Sequence, residues 1–254
     1  MKKITLMLTL LLLLVGCGRE DMSNMEAEFD AEIETEVPEA GETEADTAEP
    51  VIDRTKYAAD AGDGLVSDGY VLELTDPFDG SVSALHLPRF NIGTAMAEEL
   101  NNTIAEQYFQ KYAYYIDDLE NGKSPYRMFQ VSYDWADCGD VIAVVISDTS
   151  FVGGSGAGGT RYEAIYYNKI TDDTMDMNAF LEWYTDGEYN LETLAAAATD
   201  SGVLTDLDGV THSLTAEEIE AILPHPETGT FTCRTSLRVM GLDDSFVMPD
   251  SLEN

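Results

Sequence analysis

The sequence predicts an α+β fold: one domain with a mostly antiparallel sheet, packed by one long helix and shorter helices, after a signal peptide and a disordered acidic tether. Three observations carry this. Val141-Ile142-Ala143-Val144-Val145-Ile146 is an almost unbroken β-branched run, apolar enough to be buried on both faces and so to form the centre of a sheet. Arg161-Tyr162-Glu163-Ala164-Ile165-Tyr166-Tyr167 reads as its partner strand, beyond a glycine-rich joint spanning Gly153 to Gly159. Ile92, Met96, Leu100, Ile104, Tyr108 and Tyr112 recur every fourth residue, the stripe of one long amphipathic helix.

The elements follow in order. Lys2 and Lys3 precede an apolar run of 12 residues from Ile4 to Val15, too short for the roughly 20 residues of a spanning helix. It ends in Leu14-Val15-Gly16-Cys17, the lipobox pattern in which Cys17 receives diacylglycerol. Two acyl chains are enough for stable anchoring, so residues 1–16 are the signal and Cys17 is the expected membrane contact. Gly18 to about Asp60 is acidic and poor in aromatic residues, with too little apolar material to offset the entropy of ordering. Residues 17–60 are therefore expected to form a tether, and 61–254 the folded domain.

Tyr70 to Thr75 and Ser81 to Leu87 alternate around the turn Asp76-Pro77-Phe78-Asp79-Gly80, which predicts a hairpin. Asn91 or Thr94 caps the long helix, and Tyr126 to Trp135 leads into the central strands. Met177 to Tyr184 and Leu191 to Ala198 read as helices. Thr215-Ala216-Glu217-Glu218 has the capping-box pattern of a short helix stopped by Pro224 and Pro226, and a last strand is expected from Thr230 to Met240.

Charge narrows the function. The chain has 254 residues, with 49 Asp and Glu against 13 Lys and Arg; from Ala61 onward the counts are 34 and 8. No stretch is basic enough to neutralise phosphates, which excludes nucleic acid and disfavours docking on anionic lipid. The negative field favours cations or basic proteins. Cys138 lies in a polar turn, whereas Cys233 shares an alternating face with Phe231, Leu237 and Val239, so two unpaired thiols are expected rather than a bridge.

Motifs of catalysis fail on context. Gly154-Ser155-Gly156-Ala157-Gly158-Gly159 fits the dinucleotide fingerprint and Gly153 to Ala157 approaches a nucleophile elbow, but both need a helix next and a strand follows. His212 and His225 stand in suitable chain order for an elbow, and His86 sits within a strand. Asp206-Leu207-Asp208-Gly209 would place Leu204 and Thr215 at the first and twelfth positions of a calcium loop, where neither is a suitable ligand. Asp172, Asp173 and Asp176 read as a solvated turn with the means to gather a cation. No cofactor motif and no set of metal ligands is expected.

Further features lie in a familiar order: Leu100-Asn101-Asn102-Thr103-Ile104 on a helix, a strand ending in Gly153-Gly154, Tyr167-Asn168, then Met175-Asp176-Met177-Asn178-Ala179-Phe180-Leu181. Over roughly Leu85 to Ala198 the chain resembles the extracytoplasmic RsiV-type domain of lysozyme-sensing anti-sigma factors and of proteins carrying polysaccharide deacetylase domains. The resemblance implies an extracellular ligand such as lysozyme. An anti-sigma role is not expected, since no cytoplasmic segment or spanning helix precedes the domain. The sequence reading is thus a non-enzymatic, lipid-anchored surface protein that binds lysozyme or another cationic wall-active protein. Gly153, Gly154, Ser155, Gly156 and Arg161 are the candidate contact loop. A carbohydrate- or peptidoglycan-binding module is the alternative, and a serine hydrolase using Ser155 the third reading.

Overall fold

A computed structural model describes residues 49–125, 127–152, 158–237 and 243–250. The expected signal segment, Cys17, most of the acidic stretch, and Gly153, Gly154, Ser155 and Gly156 lie outside the described residues. Among those described, no helix is long and apolar enough to cross a membrane.

The fold is α+β. Strands β1 (Val66–Thr75) and β2 (Val82–Phe90) form the expected hairpin, and Asp76 shapes its turn by accepting the Phe78 N–H at 2.8 Å. Helix α1 (Ala95–Lys111) follows, and of the two proposed caps it uses Thr94, whose hydroxyl accepts the Ala97 N–H at 3.3 Å. After α2 (Ala113–Glu120) come β3 (Arg127–Asp137), β4 (Val141–Val152), β5 (Gly158–Asn168) and the short β6 (Asp173–Met175). These six strands make one sheet in sequence order, antiparallel throughout except between β2 and β3. That parallel step exists because α1 and α2 carry the chain back across one face of the sheet, the crossover that parallel neighbours require.

β4 sits inside this sheet, and its first six residues are at most 2% exposed. Strand side chains alternate, so Ile142, Val144 and Ile146 pack beneath α1 with Ile104, Tyr108 and Tyr112. Val141 and Ala143 face the opposite side, where Tyr166 stacks on Phe180 at 4.0 Å between ring centroids. Helices α3 (Met177–Tyr184) and α4 (Leu191–Ser201) cover that side together with a second sheet of β7 (Ile219–His225), β8 (Thr230–Thr235) and β9 (Ser245–Pro249).

The structure departs from the sequence expectation in three places. The capping box at Thr215 opens only a 3-10 turn, Ala216–Glu218, and the chain goes straight into β7. Ile219, Ala221 and Ile222 are all buried there, and tertiary burial outweighs a four-residue helix signal. Pro224 is tolerated inside β7 because that strand is an edge of the second sheet. The predicted last strand stops at Thr235, and β9, which pairs with it, was not foreseen. Packed structure also begins upstream of Ala61. A 3-10 turn at Arg54–Tyr57 sets the Tyr57 ring on Phe109 at 5.9 Å, and Ala58 bridges to Tyr70.

Candidate functional site

Of the predicted contact residues, Gly153 to Gly156 fall in sequence between β4 and β5, and Arg161 is on β5. Residues 153–157 are outside the described structure, but the base of the β4–β5 hairpin is well defined. β5 begins at Gly158, opposite Phe151, and a Cβ at Gly158 would lie 2.7 Å from the Phe151 ring and 2.8 Å from the Ser150 carbonyl oxygen. Only glycine fits that rung. Both strands thus run further than the sequence suggests, and two residues of the glycine-rich joint, Gly158 and Gly159, are strand. The rung Thr149–Thr160 joins its hydroxyls at 2.9 Å.

Arg161 is exposed on β5, opposite Asp148. In phase with Ile142, Val144 and Ile146, Asp148 points under α1 and is 5% exposed, an acid on an apolar face. It is held there by the Lys111 ammonium and the Tyr112 hydroxyl. Two rungs away, on the same face, Glu163 accepts from the Tyr108 hydroxyl and from the Gln107 amide, each at 3.1 Å. Lys111 also lies 5.4 Å from the Tyr112 ring centroid, close enough for cation–π attraction. Burial first, and then the neighbouring carboxylates, hold the Tyr108 and Tyr112 hydroxyls above the ordinary phenol range, so both stay protonated donors.

Both carboxylates are therefore satisfied by donors of the protein itself. A buried charge without such partners would be costly; with them, the layer locks the C-terminal half of α1 onto the hairpin base. Sequence reasoning missed it. The available signal was Asp148 at an inward position of a strand whose other inward positions are apolar. Arg161 at this base and Arg127, opposite Val152 in β3, form no ion pair among the described residues. Two arginines without an ion pair among the described residues thus stand on β3 and β5 of an otherwise acidic domain.

The other singled-out residues are dispersed. His212 Nε2 lies 2.8 Å from Asp206, His225 Nε2 lies 2.7 Å from the Thr232 hydroxyl, and His86 lies 3.6 Å from Glu73. In the Asp206–Gly209 turn, Asp206 accepts the N–H groups of Asp208 and Val210, both at 2.9 Å, and Gly209 takes a φ of +79°. Asp172 accepts from Tyr167, Asp173 from the Thr174 N–H, and Asp176 caps α3 through Ala179 N–H. Among the described residues no three His, Cys, Asp or Glu side chains gather as a metal site. Cys138 and Cys233 are free thiols at the edge and the centre of the same apolar cluster. No family model matches the chain, and no curated protein matches it.

Proposed function

We propose that this protein is a non-enzymatic, lipid-anchored binding protein of the cell surface that recognises a basic extracellular protein, with lysozyme the first candidate. The address rests on the apolar run ending in Leu14-Val15-Gly16-Cys17. The observation that carries the ligand class is uncompensated negative charge. Among the described residues only four carboxylates meet a lysine, Glu120, Asp148, Asp118 and Asp137, in a chain that has 34 acids from Ala61 onward. Such a field speeds encounter with a basic partner and disfavours like-charged ones. The resemblance to the RsiV-type domain places lysozyme ahead of other basic proteins. A non-enzymatic role is consistent with Asp148 having a protein donor on each oxygen and with the three histidines standing on separate elements.

Calorimetry of the detergent-solubilised full chain against lysozyme and against cytochrome c, a similarly basic protein, tests the ligand. The expected outcome is a lysozyme complex with a Kd on the order of micromolar or tighter that persists at about 0.15 M salt, where exposed charges are screened beyond about 8 Å. Equal binding to both proteins that vanishes with salt would reduce the interaction to nonspecific charge. Binding to neither would put a cell-wall glycan in first place. Anchoring is tested separately: Cys17→Ser should abolish uptake of labelled fatty acid and leave the leader uncleaved, and an unchanged mature mass would overturn the lipid anchor.

A further inference from the structure

The large sheet divides along one seam. β2 and β3 share only the rungs Ala84–Gln130 and Leu85–Val131. Before those rungs the gap is bridged by the Ser83 hydroxyl, which accepts the Phe129 N–H at 3.4 Å. Beyond them the strands diverge, β2 staying with β1 as far as Phe90 and β3 staying with β4 as far as Asp137. The two edges facing the split are finished differently. Asn101 of α1 closes β2 by taking both backbone groups of Phe90, at 2.8 and 3.0 Å. Residues 132–137 of β3 have no ladder partner on that side among the described residues.

This split is an open cleft of about 470 Å³ lined by Asp68, His86, Ser132, Tyr133, Asp134 and Trp135. Because side chains of a strand alternate, Ser132 and Asp134 reach it from one face of β3 and Tyr133 and Trp135 from the other. Trp135 is 39% exposed, a large indole left open to solvent. Tyr133 donates to one oxygen of Asp68 at 3.1 Å and so ties β3 to β1 across the gap. Among the described residues no Lys or Arg lines the cleft, neither Asp68 nor Asp134 forms an ion pair, and the ion-pair partner of the nearby Glu73 is His86. At the far end Asp137 is paired with Lys169, which leaves Asp134 as the uncompensated acid of the edge.

We propose that the free edge of β3 is the docking site for an extended basic segment of the partner protein. The segment adds as a strand along residues 132–137 and lays Lys or Arg side chains against Asp134 on one face and against Asp68 and the Trp135 ring on the other. This rests on the reading that the ligand is basic, and it moves the principal contact away from the predicted contact residues Gly153 to Gly156 and Arg161. An open strand edge recruits a further strand through main-chain hydrogen bonds, and every second side chain of that strand then falls on the same face. Asp134 on one face of β3, and on the other Asp68 and the exposed Trp135 ring, offer an ammonium or guanidinium group a counter-charge and a cation–π partner. A neutral glycan would stack on Trp135 but would leave both aspartates without counter-charge and the strand edge unpaired.

Hydrogen exchange on the full chain reads this directly, with a lysine heptapeptide, which presents cations to both faces, as probe, a glutamate heptapeptide as control and a chitin hexasaccharide as rival. The lysine peptide should slow amide exchange within residues 132–137 about tenfold or more, whereas the glutamate peptide should not. Asp134→Asn and Trp135→Ala should each weaken the peptide about tenfold; Asp134→Asn should leave the urea midpoint unchanged, and urea unfolding should show Trp135→Ala, which loses a partly buried ring, still folded where binding is measured. No protection at 132–137, equal protection by both peptides, or protection by the hexasaccharide alone would overturn the proposal. Lysozyme separates the two readings. Binding undiminished in Asp134→Asn and Trp135→Ala would sink the docking edge and leave the basic-ligand function standing. Protection by the lysine peptide without any lysozyme binding would uphold the edge and remove lysozyme as the ligand.

Discussion

The side-chain amide of Asn101 takes the place of a strand neighbour for Phe90. Its Oδ1 accepts the Phe90 N–H at 2.8 Å and its Nδ2 donates to the Phe90 carbonyl at 3.0 Å, where β2 has left β3. The pairing fixes α1 to the end of the hairpin and spares a buried residue two unmade hydrogen bonds.

Asn101→Ala should therefore cost about 2 to 3 kcal/mol, since an orphaned buried backbone group costs about 1 to 3 kcal/mol. Asn101→Asp keeps the acceptor, loses the donor and sets a carboxylate against the Phe90 carbonyl, so it should also destabilise. Urea unfolding of the two variants measures this. A loss below about 0.5 kcal/mol for Asn101→Ala would show that water replaces the amide.

The segment just before Ala61 should prove part of the fold. Tyr57 stacks on Phe109 and its hydroxyl bonds Glu120, while Ile52 packs against the α1 side of the core. A chain lacking residues 18–46 should keep the full-length melting midpoint. One lacking 18–60 should fall by about 5 °C or more, taking about 2 kcal/mol for the lost packing and 2–4 °C per kcal/mol at this size. Equal midpoints would restore Ala61 as the boundary.

The Tyr57–Glu120 contact carries a pH signature. The hydrogen bond from Tyr57, assisted by Lys56, holds the Glu120 carboxyl below its usual value of 4.5. As pH falls through that range the unfolded chain binds the proton first, so the stabilisation is present above about 4.5 and is lost as pH drops through the folded value. Glu120→Gln should destabilise at pH 7 by about 1 kcal/mol or less, the scale of a partly exposed pair, and the difference should shrink steadily under acid. A constant difference from pH 7 to pH 3 would show that the carboxylate's charge is irrelevant.

Both thiols should be silent until the protein unfolds. Burial pushes Cys138 up to about 12, with Asp137 adding to the shift, and burial alone raises Cys233 beyond that. Thiolate is the reactive form, so neither should react with an aromatic disulfide reagent at pH 7.5. In a Cys17→Ser chain, denaturant without reductant should release two reactive thiols. Recovery of none would mean that Cys138 and Cys233 are bridged.

Local pattern was enough for the elements whose signals are local. The period of four from Ile92 to Tyr112 marked α1, the run from Val141 to Ile146 marked a strand buried on both sides, and the Asp76 to Gly80 turn marked the first hairpin, because each is set by side-chain periodicity or turn chemistry within a few residues. The proposed lipidation address, Leu14-Val15-Gly16-Cys17, likewise rests on sequence alone. What the tertiary structure decided depends on neighbours distant in the chain. Residues 219–225 became strand rather than helix because a second sheet was there to bury them. Asp148 proved to be a satisfied inward acid because Lys111 and Tyr112 arrive from another element, 37 and 36 residues away. The parting of β2 from β3 follows from where α1 and α2 set β3 down beside β2, a register that no local period encodes. Burial and cross-strand register are properties of the assembled chain, and so the cleft at Asp134 and Trp135 emerges only once the sheet is built.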